Sequence, residues 1–439
     1  MKEKMERILS EVIQLIRFCL SLKRLERINE IFEIYFSHIN QYSLRIKISL
    51  SEYENREIDW SLKHLKLYIW ITIRSLLVVA YLWIMIFWND CPIPGVRYLS
   101  TMIPIDHYDL LFIFYSIIIL WIEILSFILI RLLIRYDFRL YHALNNLIQT
   151  DHNDDELMGR IFLQRFLQKY RKILLFLTIV YRSQQLLLLG IYLFVIEDLR
   201  KKFIWKKMTS IEIFFAIFLN HFLYKETIFI AGTMCFEQFG FAVTGNYYLI
   251  RFQNFVKSFR KIFSQSKSLK QYKNLTKYFN EYLHQSTEIS LMNHSTRECF
   301  FIIEMMSKCS IVFAMFFYDN QTKLNLYSFS VLFAIGLFCL INAIFCGRVS
   351  AFNTWNSLFF RSIISWQSRL QFKFSQQKLS KKQALLIDEI RKNFFIQNIP
   401  NNPIGFSCGQ IFRITKFKYI ETQLMNGILL LLFYKRFLL

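Results

Sequence analysis

The run from Phe417 to Phe437, FKYIETQLMNGILLLLFYKRF, has the length and apolar content of a helix that crosses a bilayer. Immediately before it, Gln397 to Ile414 carries Pro400, Pro403, Gly405 and Gly409, which forbid a continuous helix. Before that, Leu379 to Phe395 spaces Leu385, Leu386, Ile390 and Phe394 on one helical face, with Lys381, Lys382, Asp388, Arg391 and Lys392 on the remainder. The order is an amphipathic helix on the water side, a polar turn, and a terminal span.

Outward from that span, six more stretches pass the test of about 20 mainly apolar residues: Leu67–Trp88, Leu110–Leu133, Ile173–Ile196, Ile211 to about Cys235, Phe300–Tyr318 and Leu326–Cys346. The composition agrees, at 54% hydrophobic and 18% aromatic against the roughly 45 to 50% apolar of soluble domains. The fourth stretch continues through Phe241, Val243 and Leu249, which predicts one long tilted helix running into the basic segment beyond it, with Thr209 and Glu212 as its capping box. The expected fold class is an all-α polytopic membrane protein with seven transmembrane helices.

Charge sets the expected orientation. The net charge is +22, but the basic residues lie between apolar spans rather than in a separate domain, so no nucleic-acid partner is expected. Lys and Arg number 12 before Leu67, 7 in residues 134–172, 9 in 247–299 and 11 in 347–416, giving 39 on one side. The opposite connections and the carboxyl end hold 1, 5, 1 and 2, giving 9. Positive-inside bias then places the amino terminus in the cytosol and, with seven spans, the carboxyl terminus outside. The expected division is residues 1–66 as a cytosolic helical region without a cleavable signal peptide, 67–346 as spans one to six with cytosolic helical extensions, 347–416 as cytosolic linker and anchor helix, and 417–439 as the terminal span.

Charges inside spans cost at least about 2.5 to 3.5 kcal/mol at the bilayer centre, so each needs a partner. Glu123 and Arg182 sit at similar depth and form one expected pair; Glu304 and Lys308, spaced i, i+4, form a second. Arg74, near the cytosolic end of its span, can snorkel. Asn220, His221, Lys225 and Glu226 cluster in the fourth span, either as a cavity wall or as interhelical glue. In the terminal span Thr422, Asn426, Leu429 or Leu430, and Phe433 share a face, with Gln423 beside it. That pattern suits a pore-lining helix whose polar side chains replace ion hydration and whose apolar end closes by dewetting, and equally a helix that packs its Asn inside one subunit.

The segment Pro403-Ile404-Gly405-Phe406-Ser407-Cys408-Gly409-Gln410-Ile411-Phe412-Arg413-Ile414, set between a basic helix and a last span, resembles the pattern that precedes the seventh helix in the insect-type gustatory and odorant receptor superfamily. Phe406, Gly409, Phe412 and Ile414 carry that resemblance. Asn426-Gly427, the apolar Ile428 to Leu432, and Phe433-Tyr434 stand where gustatory members have Thr-Tyr, five apolar residues and Gln-Phe; the apolar run is kept, while that Thr, Tyr and Gln are absent. The resemblance implies a chemosensory receptor of the plasma membrane, a ligand-gated nonselective cation channel assembled as a homo- or heterotetramer whose last helices line the pore. It also implies an anchor between subunits beneath the membrane, built from the basic helix around Arg251 to Lys277 together with residues 378–395.

The expected partners are a small-molecule tastant or odorant and the lipid bilayer. Polar and aromatic residues of spans two to six that could line the ligand pocket are Tyr115, Gln185, Tyr192, Asn220, His221 and Tyr327. No cofactor or metal is expected: the eight cysteines stand singly, without Cys-x-x-Cys, the histidines lack ligand spacing, and no hydrolase, protease or P-loop motif occurs. A G-protein-coupled receptor, with the opposite termini, and a secondary transporter, with the intramembrane charges as a coupling path, are the alternatives.

Overall fold

The protein is described by a computed structural model covering residues 62–87, 108–135, 160–205, 209–265, 272–321, 326–374, 397, 399 and 404–438. Its helices are α1 (Leu62–Phe87), α2 (Tyr108–Ile134), α3 (Arg160–Ile204), α4 (Ser210–Gln265), α5 (Tyr272–Asp319), α6 (Leu326–Val349), α7 (Ala351–Phe374) and α8 (Lys416–Leu438). A hairpin of β1 (Ser407–Cys408) and β2 (Phe412–Arg413) immediately precedes α8. All seven apolar stretches fall on helices, α1 to α6 and α8. Among the described residues, parts of α1, α2, α4, α5 and the α6–α7 segment are long and apolar enough to cross a membrane. The helix expected over Leu379–Phe395 and the first 61 residues lie outside the described residues.

Large apolar side chains are exposed along these helices, among them Trp70, Leu77, Phe127, Phe214, Phe333 and Leu340. A water-facing surface rarely carries so many, and a lipid-facing one requires them.

Side-chain pairings give the relative directions of the helices. Arg131 meets Glu298 while Phe114 stacks on Phe313, so α2 and α5 are antiparallel. Phe241 meets Phe300 and Phe263 meets Tyr278, so α4 and α5 are antiparallel too. Asn342 bonds Glu304 and Cys339 bonds the Ser307 carbonyl, which makes α6 antiparallel to α5. The hairpin lies beside the start of α7, where Phe406 meets Phe352. Gly409 N donates to the Arg297 carbonyl and Lys308 bonds Asn426, so α8 runs parallel to α5.

The core deepens away from the apolar stretches. The second half of α4 lays Phe252, Phe255, Phe259 and Phe263 between α5 and α7, against Tyr278, Tyr282, Phe352, Phe359 and Trp366. Arg251 bridges Glu281 and Glu288 of α5, and Lys257 lies over the Trp355 ring. The apolar side of this basic helix is thus buried against neighbouring helices of the same chain.

Two local features depart from expectation. The segment after α6 continues as the 24-residue α7, because Phe352, Phe359, Ile363 and Trp366 recur at helical spacing and are all buried. The Pro/Gly segment folds into the hairpin, with Gly409 at φ +58, a backbone state that other residues enter only at a cost. The capping box is present as expected: Thr209 N donates to Glu212 Oε2 at 2.7 Å and Glu212 N donates to Thr209 Oγ1 at 3.3 Å.

Candidate functional site

The hairpin motif is a dock. Phe406 is buried between Phe300 and Phe352. Asn293 Oδ1 accepts from both Ser407 N (2.6 Å) and Ser407 Oγ (3.0 Å). Ile414 N closes the hairpin on the Phe406 carbonyl at 2.8 Å, with the Ile414 side chain buried and that of Phe412 half-buried. Gly409 fits because a Cβ there would stand 3.3 Å from Phe301. The four motif residues therefore fix where α8 begins on the flank of α5.

Beyond the dock, α8 packs on α5 and α6. Gly347 of α6 admits the Tyr419 ring, which would lie 3.1 Å from any Cβ placed there. Lys308 Nζ donates to Asn426 Oδ1 at 3.2 Å and pairs with Glu304 Oε1 at 3.0 Å, and Asn342 Nδ2 donates to Glu304 Oε2 at 2.9 Å. Three helices thus share one chain of polar contacts, Asn342–Glu304–Lys308–Asn426. Beside it a cavity of about 20 Å3, room for one water molecule, is lined by residues that include Glu304, Asn342, Cys346, Cys408 and Thr422.

On α8 the residues Thr422, Gln423 and Asn426 are half-buried. Phe417, Ile420, Leu424, Met425, Ile428 and Leu431 are exposed. Leu430 and Phe433 lie on α8 and Tyr327 on α6, their side chains outside the described residues.

The pocket candidates fall into separate groups. Tyr192 of α3 reaches His221 Nδ1 of α4 at 3.3 Å and stacks on Tyr224 with ring centroids 4.8 Å apart. Tyr115 of α2 bonds Thr227 of α4. Asn220 is buried and gives its amide to the Ala216 carbonyl one turn back. Gln185 accepts from Arg182 Nη1 at 2.9 Å on α3, and Glu123 is half-buried on α2. These contacts bring only Tyr192 and His221 together.

One expectation is corrected. Arg74 does not snorkel: its Nε lies 2.8 Å from Glu226 Oε2, and Ser75 Oγ donates to Glu226 Oε1 at 2.8 Å. Glu226 is 0% exposed, so an opposite charge on the facing helix is worth more to it than water is to Arg74. The opposite signs of Arg74 and Glu226 were visible in the sequence, but the contact of α1 with α4 was not. Asn342 was likewise visible as a polar residue in an apolar stretch, without a sign that it serves Glu304. The described residues hold no group of three or more His, Cys, Asp or Glu that could bind a metal ion.

The class this architecture defines is a polytopic helical membrane protein whose last helix is seated by a short hairpin. No protein-family model and no curated protein matches the chain. Among solved structures, it is similar to the insect olfactory receptor OR5 from Machilis hrabei, with a TM-score of 0.54 and 8% identity over 92% of this chain and 97% of that one. The same receptor in complex with eugenol gives a TM-score of 0.54 and 9% identity over 95% of this chain and 99% of that one. The chain shares the fold of that insect olfactory receptor along nearly its whole length.

Proposed function

We propose that the protein is a chemosensory receptor of the insect-type odorant and gustatory superfamily, a ligand-gated nonselective cation channel in the plasma membrane. The observation that carries this reading is the fold match across nearly the full length of both chains. In this reading seven spans, α1 to α6 and α8, cross the bilayer with the amino terminus cytosolic. The parallel course of α5 and α8 fits one intervening crossing, that of α6, since two successive crossings return the chain to the same direction.

Four subunits place α8 around a central path, in a homo- or heterotetramer. Thr422, Gln423 and Asn426 border it, and Leu430 and Phe433 close it by dewetting. The ligand is a small, mostly apolar tastant or odorant; eugenol, which the similar receptor binds, is a first probe. Tyr192 and His221 are the best supported of the pocket set, with Tyr115, Gln185, Asn220 and Tyr327 as its further members. Glu123 and Arg182 are proposed as the paired charges of spans two and three. A ligand that favours the open state shifts the closed pore toward it.

The test is current recording from cells expressing the chain, with a panel of small volatile and sapid compounds. Ligand-evoked cation current in excised patches, without cytosolic factors, is the expected result. Responses that vanish on excision and depend on a G protein would sink the channel reading, as would an amino-terminal tag accessible from outside intact cells. Within the channel reading, Asn426→Leu is expected to change single-channel conductance; unchanged conductance and selectivity would remove Asn426 from the lining.

A further inference from the structure

We propose that Lys308 is the positioning residue of α8, a brace that holds the terminal helix in a non-conducting arrangement; the proposal rests on the channel reading above. Asn426 and Lys308 stand at matching depth, about nine and about eight residues from the starts of their apolar stretches, on parallel helices. The ammonium gives one hydrogen to Asn426 Oδ1 and another to Glu304 Oε1, while Asn342 holds the second Glu304 oxygen from α6. The ion pair is therefore anchored on two helices before it reaches α8. Among the described contacts of this polar chain, only the hydrogen bond from Lys308 to the Asn426 amide crosses to the terminal helix, so it is the link that breaks when α8 moves relative to α5 while the ion pair stays whole.

The sign of the effect follows from electrostatics. While Lys308 holds Asn426, the amide oxygen that could replace a cation's hydration is occupied. The exposed side of α8 meanwhile offers Leu424, Met425, Ile428 and Leu431, an apolar surface that dewets. Both features oppose cation passage. The small cavity against Glu304 and Thr422, with room for one water molecule, stands at this contact in place of direct side-chain packing.

The experiment uses the full chain in cells, with surface biotinylation to count receptors and replacement of bath sodium by N-methyl-D-glucamine to define the cation current. Lys308→Met and Asn426→Leu are each expected to raise the ligand-free open probability on the order of 3- to 20-fold, the range that a hydrogen bond between membrane helices supports. The double variant should do no more than Lys308→Met alone, since that substitution already removes the bond to Asn426. Lys308→Arg, which keeps charge and donor, should stay within about twofold of the parent. Single-channel amplitude separates this effect from a change in pore lining. If Lys308→Met does not reach the surface, Asn426→Leu decides alone. Parent current with unchanged open probability in the variants, or additive effects in the double, would overturn the brace and leave the channel reading standing. A parent that reaches the surface and carries no cation current under any ligand would overturn both.

Discussion

The buried aromatic bundle of α4, α5 and α7 and the terminal helix α8 are held by opposite means. In the bundle, Phe259 is fully buried and meets Phe263, Tyr278 and Phe359 at ring-centroid distances of 4.4 to 5.6 Å. Nothing there can shift without opening a void, and packed interiors tolerate voids poorly. By contrast, α8 keeps an exposed apolar side and is tied to its subunit by a docked hairpin, the Gly347–Tyr419 approach and the Lys308–Asn426 bond. A rigid base beside a lightly held helix is the mechanical arrangement that the proposed gate requires.

The comparison breaks first at the base. Phe259→Ala should cost about 4 kcal/mol, the cavity cost of a buried ring, and lower the detergent-solubilised melting temperature more than any substitution on α8. A smaller loss there than at α8 would reverse the comparison. Next comes the α1–α4 clasp. Glu226→Leu leaves Arg74 without its carboxylate in the apolar layer and should cost about 3 kcal/mol, seen as reduced surface expression, with Arg74→Leu in the same chain restoring part of it. An uncorrected loss in the double variant would mean that packing, and not charge, is the term that matters.

At the dock, Gly409→Ala forces a left-handed backbone on a Cβ that meets Phe301, a cost of about 1 to 2 kcal/mol. On the proposed channel reading, because the hairpin seats α8, the ligand response should shift while the melting temperature moves little. The smallest effect is expected at the base of α8, where Lys418 and Glu421 pair at 2.8 Å with both side chains more than two-fifths exposed. Lys418→Ala should change stability by under about 1 kcal/mol, and the change should shrink further at high salt.

Much of the fold was legible because helices that cross membranes announce themselves locally. The long α4 could be read from apolar residues that continue past Cys235, and its start from Thr209 and Glu212. The helix α7 was missed because its buried positions are separated by Arg361, Ser365, Gln367 and Arg369, so the segment resembles a basic linker until Phe359 and Trp366 are seen facing α4. The hairpin was marked by its prolines and glycines as a break in helix, but not as β structure, since pairing of Ser407 with Arg413 depends on a turn that Asn293 and Arg297 hold from another helix.

The sequence by itself determined that this is a multi-pass helical membrane protein, and where its apolar helices lie, because the length of an apolar run is a property of neighbours along the chain. Only the tertiary structure decided which charges meet. Glu226 chose Arg74 over the nearby Lys225, and Lys308 reached past Glu304 to Asn426, because those choices depend on which faces of distant helices are pressed together. It also decided that the polar stripe of α8 is half-buried while its apolar side is exposed. Periodicity specifies that a helix has two faces, but only the packing of α5 and α6 against it specifies which one is turned inward.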